Sequence, residues 1–181
     1  MIPSSAIRLR ATLTAALVAT LLSVAACAPS PHTTPSPTAT PLFANKEDAF
    51  AAAEATYRAY RDAANETVLS DASTFEPVFV WLRSDALAAS RKSLTNYNAE
   101  GVARIGESSF DTFTPVAYDG TSIIARLCFD VSNVDVVNSA GVSVVAPDRP
   151  LRQPLQVELR RADTSTGLAI YSSVATEELS C

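Results

Sequence analysis

The sequence predicts an α+β domain, with N-terminal helices packed on a curved antiparallel sheet. Two observations predict it. Apolar residues recur at helical spacing only in residues 45–100, and alternation with a period of two appears only in residues 102–176. A third is the Asp119-Gly120 pair between two β-rich runs, a strong hairpin signal that makes neighbouring strands antiparallel.

The helical half has three segments. In the first, Asn45 is a suitable N-cap, and Glu47 and Asp48 favour the positive end of the helix dipole. Phe50, Ala53, Tyr57, Tyr60 and Ala64 then build one apolar face, leaving Glu54, Arg58, Arg61 and Asp62 for solvent. Ser73-Thr74-Phe75-Glu76 has the form of a capping box ahead of Pro77, predicting a short helix to about Trp81. The third helix follows Ser84-Asp85, carries Leu87, Ser90, Leu94 and Tyr97 on one side, and ends at Gly101, which readily adopts the left-handed conformation past a helix end.

The strand half opens with a β-leaning run from Val102 to Tyr118, in which Gly106 and Pro115 indicate a bulge and an edge. In the clearest strand, Ile123, Ala125, Leu127, Phe129 and Val131 alternate with Ile124, Arg126, Cys128 and Asp130. Val134–Val137 and Val142–Val145 flank Asn138-Ser139-Ala140-Gly141 as a small hairpin or lobe. After Pro147 and Pro150, Leu155, Val157 and Leu159 alternate with polar residues, and a turn at 164–167 leads into a last strand, 168–176.

Upstream of these elements lies an address. Met1–Arg10 carries Arg8 and Arg10 and no acid, and Ala11–Ala26 is a 16-residue apolar run. That is short of the roughly 20 residues of a spanning helix and suits a signal peptide. Val24-Ala25-Ala26-Cys27 has the form of a lipobox, so 1–26 is expected to be removed by cleavage between Ala26 and Cys27, with Cys27 carrying diacylglyceryl and a fatty acid such as palmitate. One acyl chain holds a protein marginally, whereas the two or three of a lipoprotein fix it to the outer, extracytoplasmic face of the cell membrane. Residues 27–44 contain Pro29, Pro31, Pro35, Pro37 and Pro41 among Ser and Thr. Proline removes backbone donors, so a semi-rigid linker is expected, reaching up to ~50 Å at ~3.1 Å per residue. The folded domain is expected over 45–181.

Charge and cysteines limit the function. Without Arg8 and Arg10, the 14 basic residues fall to 12 against 19 acids, leaving net −7 and no basic run, so nucleic acid is not an expected partner. Cys128 and Cys181 form an even pair in an exported domain and are expected to bridge, tying the C-terminal tail to the clearest strand. The lone histidine, His32, falls in the linker. No GxSxG, P-loop, CxxC or HExxH motif occurs, so acyl transfer, nucleotide hydrolysis and zinc chemistry have no support.

The phrases Phe113–Gly120, Leu127–Ser132 and Val134–Val137, together with the order of helix, short helix, helix and sheet, resemble uncharacterised actinobacterial lipoproteins of the nuclear-transport-factor-2-like superfamily. That resemblance implies a cone-shaped fold and leaves activity open, because the superfamily includes ketosteroid isomerase, polyketide cyclases and epoxide hydrolases beside interaction modules. Cone-fold isomerases and cyclases use a pocket carboxylate or a His-Asp pair, and residues 45–181 contain no histidine. Asp130 is the best lone candidate for a general base. It stands on the register opposite Leu127 and Phe129, however, which favours solvent or a turn cap with Ser132 and Asn133. Tyr57 and Tyr60 have the donors of an oxyanion site but the spacing of core residues. Asp130, Asn133 and Asp135 only faintly resemble calcium ligands, without the glycine and terminal glutamate of an EF-hand. The expectation is a non-enzymatic domain without cofactor or metal, binding an envelope protein or a small apolar ligand. The alternative is a cone-fold enzyme that uses Asp130 on a small apolar molecule.

Overall fold

The computed structural model describes residues 40–181. Ala26, Cys27 and His32, and with them the signal peptide, the lipobox and most of the linker, lie outside the described residues.

Helix α1 spans Lys46–Asn65, and the Asn45 side chain accepts the Asp48 N–H at 2.8 Å, the predicted cap. Its predicted face is the face that packs. Ala53 and Tyr57 are buried, and Phe50, Tyr60 and Ala64 rest against the same core. The Ser73–Glu76 capping box does not form. Asp71 instead accepts the Ser73 N–H and hydroxyl at 3.0 and 2.7 Å, starting a one-turn 3-10 helix over Ala72–Thr74, and α2 (Glu76–Phe79) follows with no side-chain cap. The Asx turn at Asp71 takes the serine before the box can use it. Helix α3 spans Ser84–Glu100 and stops at Gly101 with φ 63°, as predicted.

The strands form two sheets where the sequence predicts one meander. The larger is antiparallel in the order β2 (Ser109–Tyr118), β3 (Ser122–Asp130), β5 (Arg152–Arg161), β6 (Leu168–Ala175). The smaller pairs β1 (Ala103–Ile105) with β4 (Asp135–Val137). Pro115 lies on β2, an edge strand with register shifts on either side of Thr114-Pro115, where a missing donor is tolerated. The Asp119 carboxylate accepts the N–H groups of Thr121 and Ser122 at 2.8 and 2.7 Å, which fixes the β2–β3 turn. The predicted Val134–Val145 lobe is a strand and a bridge rather than two strands: Ser143 bridges Val137, and Asn138 binds the N–H groups of Ala140 and Val142.

Alternation on β3 and β5 decides what faces the helices. Ile123, Ala125, Leu127, Val157 and Leu159 join Tyr57, Val78, Leu82 and Ile170 in one fully buried cluster. Each such aliphatic side chain contributes about 1.5–3 kcal/mol by leaving water. Cys128 faces the other way and is bonded to Cys181, with Cα atoms 5.7 Å apart. Glu178 pairs with Arg126 on the same strand, so the tail runs over the outer face of β3. Leu42 and Phe43 also pack against the core, held by Leu42 N–H to the Gly120 carbonyl at 3.3 Å and Phe43 N–H to the Tyr118 hydroxyl at 3.1 Å. Among the described residues no helix is long and apolar enough to cross a membrane.

Candidate functional site

The inward side of α3 presents Ala86, Ala89, Ser90 and Ser93 along with Leu87 and Leu94. None of its residues is fully buried, because small side chains there cannot reach the sheet. Between α3, the second half of α1, the β1–β4 sheet and the Phe129 end of β3 lies a cavity of about 360 Å³. A second chamber of about 390 Å³ adjoins it, sharing Tyr60, Arg61, Ser90, Ser93, Phe129 and Gln153. Both volumes fall within the range of about 300–1,000 Å³ typical of small-molecule sites.

Three arginines line the first chamber, each fixed by a different element. Arg61, assigned to the solvent face of α1 from its spacing, is half-buried instead. Its guanidinium stacks on the rings of Phe129 and Tyr60, 4.7 and 5.1 Å from their centroids, and donates to the Ser108 hydroxyl. Ser108 is buried and held by Asn65, whose amide donates to the Ser108 carbonyl at 2.8 Å and whose Oδ1 accepts the Ser108 N–H at 3.1 Å. Arg104, from β1, donates to the carbonyls of Ala64, Asn65 and Thr67. Helix α1 has no basic residue in its last turn, so Arg104 supplies from a distant strand the cation that the negative helix end favours. Arg149 donates to the carbonyls of Val131 and Val134 at 3.2 and 2.8 Å, closing the β3–β4 connection.

All these acceptors are neutral. Among the described residues no carboxylate forms an ion pair with Arg61, Arg104 or Arg149, while Arg58, Arg126, Arg152 and Arg160 each have an acidic partner. No acid lines either chamber. Burial, and next the charge of Arg61, lower the proton affinity of Arg104, with Glu107 partly offsetting them. The only buried side-chain nitrogens or oxygens without a hydrogen-bond partner among the described residues are Nε of Arg61 and Nε of Arg149. Leu69, Leu94, Val131, Val134 and Val136 supply much of the remaining wall, with Thr67, Ser90, Ser93, Ser108 and Gln153 among them.

Of the residues singled out from sequence, the acids fall elsewhere and the tyrosines do not. Asp130 lines neither chamber. It accepts the Ser132 N–H at 2.8 Å and lies 3.6 Å from Arg152, and the Ser132 hydroxyl and N–H together with that guanidinium hold it below the usual carboxylate range. This is the turn-cap geometry, and lowered basicity is the reverse of what proton abstraction near neutral pH requires. Tyr57 is core, with burial pushing its phenol up, and borders the second chamber, whereas Tyr60 lines both chambers. Asp135 accepts the Val136 N–H and the Ser143 hydroxyl, and among the described residues no three His, Cys, Asp or Glu side chains cluster as metal ligands would.

No family model matches this chain, and no curated protein does. Among solved structures it is similar to a candidate aromatic ring hydroxylase from Novosphingobium aromaticivorans, at 16% identity over 73% of this chain and 96% of that one, with a TM-score of 0.49. It is also similar to a protein from Catenulispora acidiphila in complex with S-DNPA, at 15% identity over 71% and 92% of the two chains, TM-score 0.48. A third similar structure is ActVI-ORFA from Streptomyces coelicolor, at 15% identity over 75% and 100%, TM-score 0.44.

Proposed function

We propose that this protein is a lipid-anchored extracytoplasmic lipoprotein of the cone-shaped, nuclear-transport-factor-2-like type, whose folded domain binds a small molecule without transforming it. The observation that carries the binding reading is the two-chambered cavity beneath α3, kept open by Ala and Ser where larger residues would fill it. The anchor rests on Cys27 and the apolar run before it.

Binding is tested by replacing Ser93 with Trp, which occupies the space both chambers share. Native mass spectrometry of the purified protein should show a non-covalent small-molecule adduct that the S93W protein lacks. A wild-type protein carrying no adduct and gaining no thermal stability from any member of a small-molecule library would overturn the reading. Asp130→Asn should leave the phenotype intact, and loss of function with the fold preserved would turn the choice to the Asp130 enzyme. Intact-mass measurement of the membrane fraction should find a chain beginning at Cys27 with added acyl groups, and an unacylated chain retaining residues 1–26 would remove the anchor.

A further inference from the structure

We propose that the ligand is an amphipathic oxyanion, an apolar body with a carboxylate or phosphate head, whose oxygens pair with the guanidinium groups of Arg61, Arg104 and Arg149. This rests on the small-molecule reading above and narrows the expectation of a purely apolar ligand.

Four observations carry it. First, the folded chain has an excess of acid, yet its cavity wall holds three arginines and no carboxylate. Among the described residues Arg61, Arg83, Arg91, Arg104, Arg149 and Arg161 form no ion pair, and three of those six line this one cavity. Second, every hydrogen bond those three make goes to a carbonyl or a hydroxyl, which orients the guanidinium without cancelling its charge. A half-buried guanidinium without an ion-pair partner is costly, and an incoming anion reduces that cost. Third, Nε of Arg61 and Nε of Arg149 are buried without an acceptor, so the protein itself leaves the hydrogen-bonding capacity of both guanidinium groups incomplete. Fourth, the same wall holds Leu69, Leu94, Val131, Val134 and Val136, which an inorganic ion leaves wet and a hydrocarbon or aromatic body covers.

The pieces also explain one another. Asn65 fixes Ser108, Ser108 fixes Arg61, and Arg104 fixes the end of α1 that carries Asn65. Such a chain of contacts holds a fork-shaped donor in one orientation before the ligand arrives, which reduces the ordering cost of binding.

The test compares decanoate, decyl phosphate and 1-decanol by titration calorimetry on the purified protein. Either anion should bind at least about 10-fold more tightly than the alcohol, the size of one charge-assisted hydrogen bond. Arg61→Gln and Arg149→Gln should each lower affinity for the anion by about 10-fold or more while changing affinity for the alcohol by less than about 2-fold, and Arg61→Lys should recover part of the loss. A structural role for Arg61 alone would weaken both probes together and would overturn the inference. Equal binding of anions and alcohol by the wild type would overturn it too, while leaving a small-molecule site in place. If none of the three binds and no adduct is present, the pocket reading fails with it. Should the glutamine variants not fold, the wild-type ratio alone decides.

Discussion

One face of one sheet meets the helices in two ways. Beneath α1 and the start of α3, Tyr57, Leu82, Ile123, Leu127, Leu159 and Ile170 pack with none more than 2% exposed, and Tyr57, Leu82 and Ile170 form the border with the second chamber. Towards the Phe129 end of β3 the same helices pass over a void whose wall sets three arginines among leucines and valines. Backbone elements are shared, so the difference lies in side chains: Leu82 and Leu87 precede α3's contact with the core, whereas Ser90 and Ser93 leave the second half standing off. The lesson is that one region is arranged for burial and the other gives up burial for a lined cavity.

Mutations can sharpen or break that contrast. Removing the Cys128–Cys181 bridge with serines frees a 53-residue separation and should cost about 4 kcal/mol in urea unfolding, provided the outer face depends on the tail. Next in size, Leu127→Ala in the packed region should cost about 3 kcal/mol through lost burial and an unfilled cavity. Ser90→Leu in the open region should shift stability by less than about 1 kcal/mol, because there is room for the added methyls. A Ser90→Leu penalty equal to that of Leu127→Ala would mean that the void is tightly packed after all. The smallest effect belongs to acid stability. Asp71, Asp111, Asp119 and Asp130 all have folded-state proton affinities below normal, Asp119 chiefly through the Ser122 and Thr121 N–H groups. Their stabilisation is complete above the unfolded carboxylate pKa of about 3.9 and is lost as pH falls through the lower folded values. Asp119→Asn should therefore flatten the acid limb of a stability-versus-pH curve below about pH 4 and leave neutral stability slopes unchanged.

Much of the packed region was legible in the chain, since it rests on local rules. Asn45 caps, Gly101 stops, and the alternation on β3 and β5 assigns Leu127 and Leu159 to the inside. The open region was not. Arg61 follows the polar spacing of α1, and only its stacking on Phe129, 68 residues away, draws it inward. Arg104 sits on a three-residue strand paired with another as short, and Arg149 sits in a connection held to the Val131 and Val134 carbonyls, so periodicity marks neither. The one available signal was Ser90, a polar residue inside an otherwise apolar stripe. Gly106 shows the same limit: a bulge was expected there, whereas the residue has φ 77° and a methyl would come 1.8 Å from the Asn133 carbonyl oxygen, so the constraint comes from a loop far along the chain.

The clasp between Tyr118 and Phe43 determines where the chain approaches the domain. It holds residues 42–43 at the hairpin tip, while the arginine wall stands at the opposite end of β3, about 25 Å away along eight residue steps. The start of the described domain and its arginine-lined chamber thus sit at opposite ends of one strand, so a change at residues 42–43 and a change at the chamber act on separate parts of the sheet.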